Sequence, residues 1–158
     1  TSFYTVPLKT RTKGDTFKVL ASEDNTTVRL NGGVVATLQR GQTYLRILTT
    51  ASQIVADKPV LVAQFAHGRE YDGVLYSDPS MALVSPVDQY LSEYMFDTRS
   101  APDDRYANLV VPSSAVGDVT LDGGVIADNQ FSQIPATPYS WASLTVRLVS
   151  PLPSALIT

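Results

Sequence analysis

The stretch Thr27-Val28-Arg29-Leu30-Asn31-Gly32-Gly33-Val34-Val35-Ala36 decides the fold, because it has the pattern of two short strands joined by a tight turn. Asn followed by Gly is typical of a two-residue hairpin turn, in which both central residues need a positive φ. Gly, and to a lesser degree Asn, adopt such angles at low cost. A second stretch, Val119-Thr120-Leu121-Asp122-Gly123-Gly124-Val125-Ile126-Ala127, has the same form with Asp-Gly at its turn. The sequence therefore predicts two β-hairpins.

The two hairpins lie within a longer internal repeat. Residues 19–36 align with residues 110–127 at a constant offset of 91 and without a gap, and eight of the eighteen positions are identical. Differing pairs such as Val35 with Ile126 are exchanges that a strand tolerates. The alignment predicts a duplicated β unit.

The repeat also predicts how the chain is divided. We expect residues 1–66 to form the first β unit, residues 67–91 to form a linking loop segment, and residues 92–158 to form the second β unit. The length of 158 residues suits one ordinary domain or two small ones. We therefore expect the two units to pack as one compact module.

Strand signals dominate the rest of the chain, where short β-branched and aromatic runs are broken by Gly, Pro, Asn or Asp. Residues 43–48 alternate, with Leu45 and Ile47 on one face and Tyr44 and Arg46 on the other, which indicates a half-buried strand. Val60-Leu61-Val62-Ala63 is apolar throughout and favours a central strand covered on both faces. We predict an all-β fold, an antiparallel β-sandwich built from the two units. Adjacent blades of a larger repeat array are the alternative.

Composition excludes several classes of function. Hydrophobic residues make up 44% of the chain and charged residues 17%, which is typical of a folded domain. The net charge of −3 gives no reason to expect nucleic acid as a partner. Cysteine is absent, so disulfide and thiolate chemistry are not expected. No apolar run reaches the length of a transmembrane helix.

Catalytic chemistry has few candidates. His67 is the sole histidine, so a histidine-dependent mechanism would have to use it, with Ser77 and Asp72 or Asp78 as partners. No nucleophile elbow accompanies these residues, and we predict no catalytic residue. An enzyme acting on polysaccharide stays as a remote alternative, because carboxylates occur in predicted loops.

Metal binding is weighed in the same way. One His and no Cys do not supply a zinc site. Loop carboxylates are the ligands that calcium prefers, and the candidates are Asp72, Asp78, Asp103 and Asp104. None follows an ordered ligand loop, and Asp is also a common turn residue. We expect no cofactor and keep calcium as a hypothesis.

The linking segment contains the candidate ligand-binding residues Arg69, Tyr71, Asp72 and Tyr76. Tyr and Arg are enriched where proteins hold their partners, and loops on a rigid sheet often carry recognition. A packed connector is the competing interpretation. Near the N-terminus Lys9, Arg11 and Lys13 alternate along an extended segment, which suits either an acidic glycan or a solvated edge.

Several segments together resemble a known family. The longer ones are residues 13–28 and 56–65, and shorter ones are Ser77-Asp78-Pro79, Leu83-Val84-Ser85-Pro86-Val87 and Asn108-Leu109-Val110-Val111-Pro112. Their order and spacing are similar to the C-terminal part of the N-terminal region of the immunoglobulin G Fc-binding protein family. The resemblance runs through almost the whole chain, and it implies a fragment of a larger secreted or cell-surface protein. It brings no catalytic residues.

The function expected from these observations is an extracellular, non-catalytic adhesion or ligand-binding module that acts through its loops. Its ligand would be a protein or a glycan, and neighbouring repeats of the same parent protein would be further partners. A structural spacer repeat in a large surface protein is the alternative, motivated by the internal repeat.

Overall fold

The computed structural model describes residues 1–74, 78–97, 105–146 and 154–158, with the backbone alone at residues 97 and 154–156. Nearly all regular structure is β-strand, and every described strand pair is antiparallel. The predicted all-β class is therefore confirmed, and a β-sandwich agrees with it. The chain divides into two compact units, Thr1–Tyr90 and Leu91–Thr158. None of the helices in the described ranges is long and apolar enough to span a membrane.

The first unit contains two four-stranded sheets, with strand orders β1-β6-β3-β4 and β5-β2-β7-β8. A short helix, α1 (Arg69–Asp72), follows β7, and one 3-10 turn covers Val87–Gln89. The strands are β1 (Ser2–Thr5), β2 (Asp15–Ala21), β3 (Thr26–Leu30), β4 (Gly33–Leu38), β5 (Thr43–Leu48), β6 (Ser52–Ala56), β7 (Val60–Ala66) and β8 (Ser80–Leu83).

The core of the first unit is built from residues of both sheets. Successive residues of a strand point to opposite faces, so Phe17, Val19 and Ala21 of β2 point inward together. They pack against buried apolar residues of the other sheet, among them Phe3, Val28 and Ile54. Two sheets with a shared apolar layer make this unit a β-sandwich.

The second unit has a three-stranded sheet of order β10-β14-β13 and a four-stranded sheet of order β12-β11-β15-β9. Its described core consists of Val119, Ile126, Ala142, Leu144 and Ile157. The strands are β9 (Tyr94–Asp97), β10 (Arg105–Pro112), β11 (Thr120–Leu121), β12 (Gly124–Val125), β13 (Ser132–Gln133), β14 (Tyr139–Val146) and β15 (Ser154–Ile157).

Both predicted hairpins are confirmed. Strands β3 and β4 are joined by Asn31 and Gly32, whose φ angles are 49° and 85°. Strands β11 and β12 are joined by Asp122 and Gly123, with φ angles of 51° and 79°. Positive φ at both central residues is the backbone that the Asn-Gly and Asp-Gly pairs predict.

The structure departs from the sequence pattern at β5. The alternation of this strand is present, but its apolar side, formed by Leu45 and Ile47, is the exposed one, at 54% and 46% exposure. Tyr44 and Leu48 on the opposite side contact the core instead. The alternation correctly predicted that the two faces of β5 differ. It did not show which face packs against the core.

The constant offset of the internal repeat also breaks down in one strand. It aligns Val110 of β10 with Val19 of β2, which is a core residue. In β10, however, Leu109 and Val111 are the residues that contact the core. Side chains alternate along a strand, so a shift of one residue moves every side chain to the other face. At the offset of 91, β10 is therefore shifted by one residue relative to β2.

Candidate functional site

The candidate site lies in the first unit, where the chain leaves β7 and turns back toward β8. Helix α1 ends at Gly73, whose φ of 73° is the left-handed conformation typical of a helix C-cap, and the Gly73 N–H donates to the carbonyl of Arg69 at 2.8 Å. The turn leaves a surface pocket of about 430 Å³. It is lined by His67, Gly68, Arg69, Glu70, Tyr71, Asp78 and Pro79.

Tyr71 is held in this pocket by its ring. The ring stacks on His67 with 3.9 Å between centroids and an interplanar angle of 19°. The Lys13 ammonium lies 5.5 Å from the Tyr71 ring centroid, within the range of a cation–π contact. Nε2 of His67 is 3.0 Å from the Thr16 hydroxyl of β2. Both aromatic rings are therefore fixed to the sheet.

The side chain of Asp72, the residue after Tyr71 in α1, is buried and does not line the pocket. Its Oδ1 accepts a hydrogen bond from the Lys13 backbone N–H at 2.9 Å, and its Oδ2 lies 3.4 Å from Nη1 of Arg11. The side chains of Arg11 and Asp72 are 5% and 0% exposed. Arg11 is consequently neither on a solvated edge nor available to a glycan. The ion pair joins the β1–β2 connection to α1 and positions the pocket wall.

The structure brings some of the predicted site residues together. Arg69, Tyr71 and Asp78 line one pocket, and the buried Asp72 belongs to the same short helix as Arg69 and Tyr71. The remaining candidates, Tyr76, Asp103 and Asp104, fall outside the described residues, as does Ser77.

The calcium hypothesis concerns Asp72 and Asp78 within the described part of the chain. No group of three or more His, Cys, Asp or Glu side chains suited to a metal ion occurs among the residues that the structure describes. Both Asp72 oxygens already contact Lys13 or Arg11. Calcium binding at these positions stays a prediction.

One carboxyl group away from the pocket has a shifted pKa. The backbone N–H of Thr27 donates to Oδ1 of Asp57 at 2.8 Å. This hydrogen bond, supported by the Thr27 hydroxyl and the nearby charge of Lys58, lowers the pKa of Asp57 below its ordinary value of 3.8. Because Asp57 thereby ties the end of β6 to β3, its role is structural.

Sequence reasoning missed a second surface on the first unit. The outer face of the sheet β5-β2-β7-β8 exposes a set of large apolar side chains, namely Leu20, Leu45, Ile47, Leu61, Met81 and Leu83. The signal that could have found them is the run Val60–Ala63, which is apolar on both faces of its strand although one of those faces is exposed.

The described residues thus form an antiparallel β framework with a pocket beside a short helix. The chain belongs to the IgGFc binding protein family, because that family's model matches residues 1–155 of 158. This is a family of binding modules and not of enzymes, and it typically occurs in secreted or extracellular proteins. No curated protein and no solved structure shows significant similarity to the chain.

Proposed function

We propose that this chain is a non-catalytic, protein-binding adhesion module of an extracellular or cell-surface protein, and that the pocket beside α1 contacts the ligand. The observation that carries the proposal is the pocket itself, lined by Arg69 and by a Tyr71 ring fixed against His67. The pocket is wide open to solvent, which suits contact with a protein surface better than enclosure of a small molecule.

The chemistry of the pocket suits recognition. Tyr presents a large, rigid surface that is apolar on its ring and polar at its hydroxyl, and Arg donates several hydrogen bonds in a fixed plane. Both residue types are enriched among those that contribute most to protein binding. Arg69 and Glu70 are exposed at the rim of the pocket, where a partner can reach them.

The contacts that hold the pocket residues in place support the same proposal. A contact residue that is already fixed loses less conformational entropy on binding. The Arg11–Asp72 pair and the stacking of His67 on Tyr71 supply that rigidity. In this proposal Asp72 acts as a positioning residue and does not touch the ligand.

Binding assays with the Fc fragment of immunoglobulin G and with a glycan array test the proposal. The family description makes Fc the first protein probe. We expect a protein ligand, and we expect Tyr71→Ala to weaken its binding by about tenfold or more, as for a central contact residue. Tyr71→Phe keeps the ring stacking and should restore most of the affinity.

The matched control is Tyr106→Ala, which truncates an exposed tyrosine of the second unit. Binding that is equally strong in wild type, Tyr71→Ala and Arg69→Ala would contradict a contact role for the pocket. If the chain binds a glycan and no protein, the ligand of the pocket is a carbohydrate and the proposed protein ligand is wrong.

We also propose that the two units derive from one duplicated β unit. Support comes from strand order: β4-β3-β6-β1 in the first unit corresponds to β12-β11-β15-β9 in the second, each in the same sequence along the chain. This regularity favours a spacer repeat as the second candidate function. Sequencing the gene around this segment tests it, because a gene without neighbouring copies would contradict a repetitive spacer.

A further inference from the structure

The outer face of the sheet β5-β2-β7-β8 exposes large apolar side chains from all four strands. One cross-strand row contains Ile47, Thr16, Phe65 and Met81, and the next contains Leu45, Lys18, Ala63 and Leu83. A third row contains Thr43, Leu20 and Leu61. Leu45, Leu61, Met81 and Leu83 are each about half exposed or more. Contiguous apolar patches on a folded protein mark sites of interaction.

Strand β7 shows that this face is suited to being covered. Val62 is fully buried in the core, while Leu61 on the opposite face is 48% exposed. A central strand that is apolar on both faces is typical of a sheet packed on both sides, whereas a sheet with one wet face alternates apolar and polar residues. The sequence of β7 therefore fits a sheet with a second protein layer on its outer face.

Lys18 indicates which charge a protein covering this face should carry. It lies in the middle row between Leu45 and Ala63 and is partly buried. Among the residues that the structure describes, none forms a hydrogen bond or an ion pair with Lys18. Covering this ammonium with an apolar surface alone would bury an unpaired charge, which is strongly unfavourable. A partner that presents a carboxylate opposite Lys18 therefore has an advantage over one that is apolar throughout.

A second copy of the chain that packs the same face against this one does not offer such a carboxylate. The positions of this face hold no acidic residue, so a symmetric contact would bury Lys18 near its own copy without a carboxylate. We propose that the outer face of this sheet docks a different protein, whose surface is apolar and carries an Asp or Glu at its centre.

The docking face continues into the pocket. Thr16 belongs to the outer row and its hydroxyl lies 3.0 Å from Nε2 of His67, the residue that stacks on Tyr71. The inference rests on the proposed function, since it extends the same protein contact from the pocket onto the sheet. It adds a larger apolar area and a charge preference that the pocket alone does not have.

The test is selection of binders to the full chain from a displayed library of small helical proteins. One face of each library member is randomised among apolar residues, Asp, Glu and Lys. We expect wild type to enrich apolar faces with a central Asp or Glu. Lys18→Glu should instead enrich a central Lys. Leu45→Ser with Ile47→Ser should weaken the selected binders by about tenfold or more. Val34→Ser, equally exposed on β4 of the other sheet, is the control and should leave binding unchanged.

Three outcomes of the selection and of sedimentation would overturn the inference. The first is a selection in which no binder prefers wild type to the Leu45→Ser, Ile47→Ser variant. The second is that wild type and Lys18→Glu enrich library members with the same central residues, so that the charge at position 18 has no effect on the selection. The third is sedimentation showing that the wild-type chain self-associates and that the double variant does not. Fold is checked by circular dichroism in each variant.

Failure of the proposed function would look different. If Tyr71→Ala abolishes Fc binding while the variants of the docking face bind Fc normally, the inference fails and the pocket stands. If neither Fc nor a glycan is bound, but library binders follow Lys18 and Leu45, the pocket's proposed role fails and the docking face stands.

Discussion

The two hairpins have the same turn but strands of very different length. In the first unit β3 and β4 pair over five positions, and β3 also pairs with β6 over three. In the second unit β11 pairs with β12 at two positions and with β15 at Leu121. The turn conformation follows from two adjacent residues, Asn-Gly or Asp-Gly, in both cases. Strand length instead depends on what the strand packs against, which differs between the units.

Removing a phenylalanine side chain from the core of the first unit should have the greatest effect. Phe17 is 1% exposed in the centre of β2, and Phe17→Ala is expected to lower the free energy of unfolding by about 3–5 kcal/mol, because it leaves a cavity. Denaturant unfolding followed by circular dichroism measures the total loss. The single tryptophan, Trp141, lies in β14 and reports on the second unit by fluorescence.

Val125→Ala in the second unit is the control, since Val125 is largely exposed and the change should stay within about 0.5 kcal/mol. A loss below about 1 kcal/mol for Phe17→Ala would mean that the sandwich core is not packed as described.

The buried ion pair of the first unit comes next. Arg11→Met leaves the Asp72 carboxylate without its cation, and breaking a buried pair in this way typically removes about 3–5 kcal/mol of stability, at the lower end for a contact of 3.4 Å. The double variant Arg11→Met, Asp72→Leu should lose less than the sum of the two single variants. Strict additivity in thermal or denaturant unfolding would show that the two side chains are not coupled.

The turns give a matched test of the comparison. Gly32→Ala and Gly123→Ala each place a side chain at a positive φ, with nothing within 4 Å of the added Cβ. Each substitution should therefore lower the free energy of unfolding through backbone strain alone, by about 1–2 kcal/mol. Similar losses of unfolding free energy would confirm that the turns are equivalent. A loss confined to one unit would mean that the two turns contribute differently despite their shared conformation.

The smallest effect concerns the pH dependence of the first unit. The pKa of Asp57 is lowered in the folded chain, so its hydrogen bond with Thr27 contributes stability above the unfolded pKa, which is near 3.8. As the pH falls through that value toward the folded pKa, the unfolded chain binds the proton first and this stability is lost. Asp57→Asn should flatten that part of the pH profile of unfolding. If the free energy of unfolding of Asp57→Asn depends on acid pH as it does in wild type, Asp57 is not the group responsible.

Local features of the sequence predicted much of the fold. The turns, the position of β5 at Thr43–Leu48 and the interior place of β7 in its sheet were predicted from composition and alternation. The neighbours of β7 were not predicted, and its Leu61 face is exposed where cover on both faces was expected. Strand β6 and helix α1 were not predicted. The strand Ser52–Ala56 has a weak pattern, and α1 is a single turn too short to show a helical period.

The candidate site depended on contacts that no local pattern contains. Sequence composition identified Arg69 and Tyr71, but the Lys13–Asp72 hydrogen bond joins residues 59 positions apart in the chain. The burial of Asp72 and the exposure of Leu45 are properties of packing between distant segments. Burial distinguishes a residue that positions its neighbours, such as Asp72, from one that a partner can reach, such as Arg69. Residue type alone does not make this distinction.

Strand β7 also has a consequence for the chain before it folds. Val60–Ala66 runs for seven residues without a charge or a proline, a composition that favours aggregation between unfolded chains. Lys58 and Pro59 precede it, and Gly68 and Arg69 follow soon after it. Charges and prolines at the ends of such a segment act as gatekeepers that oppose intermolecular sheet growth. Arg69 therefore lines the pocket and also lies where a charge opposes aggregation through β7.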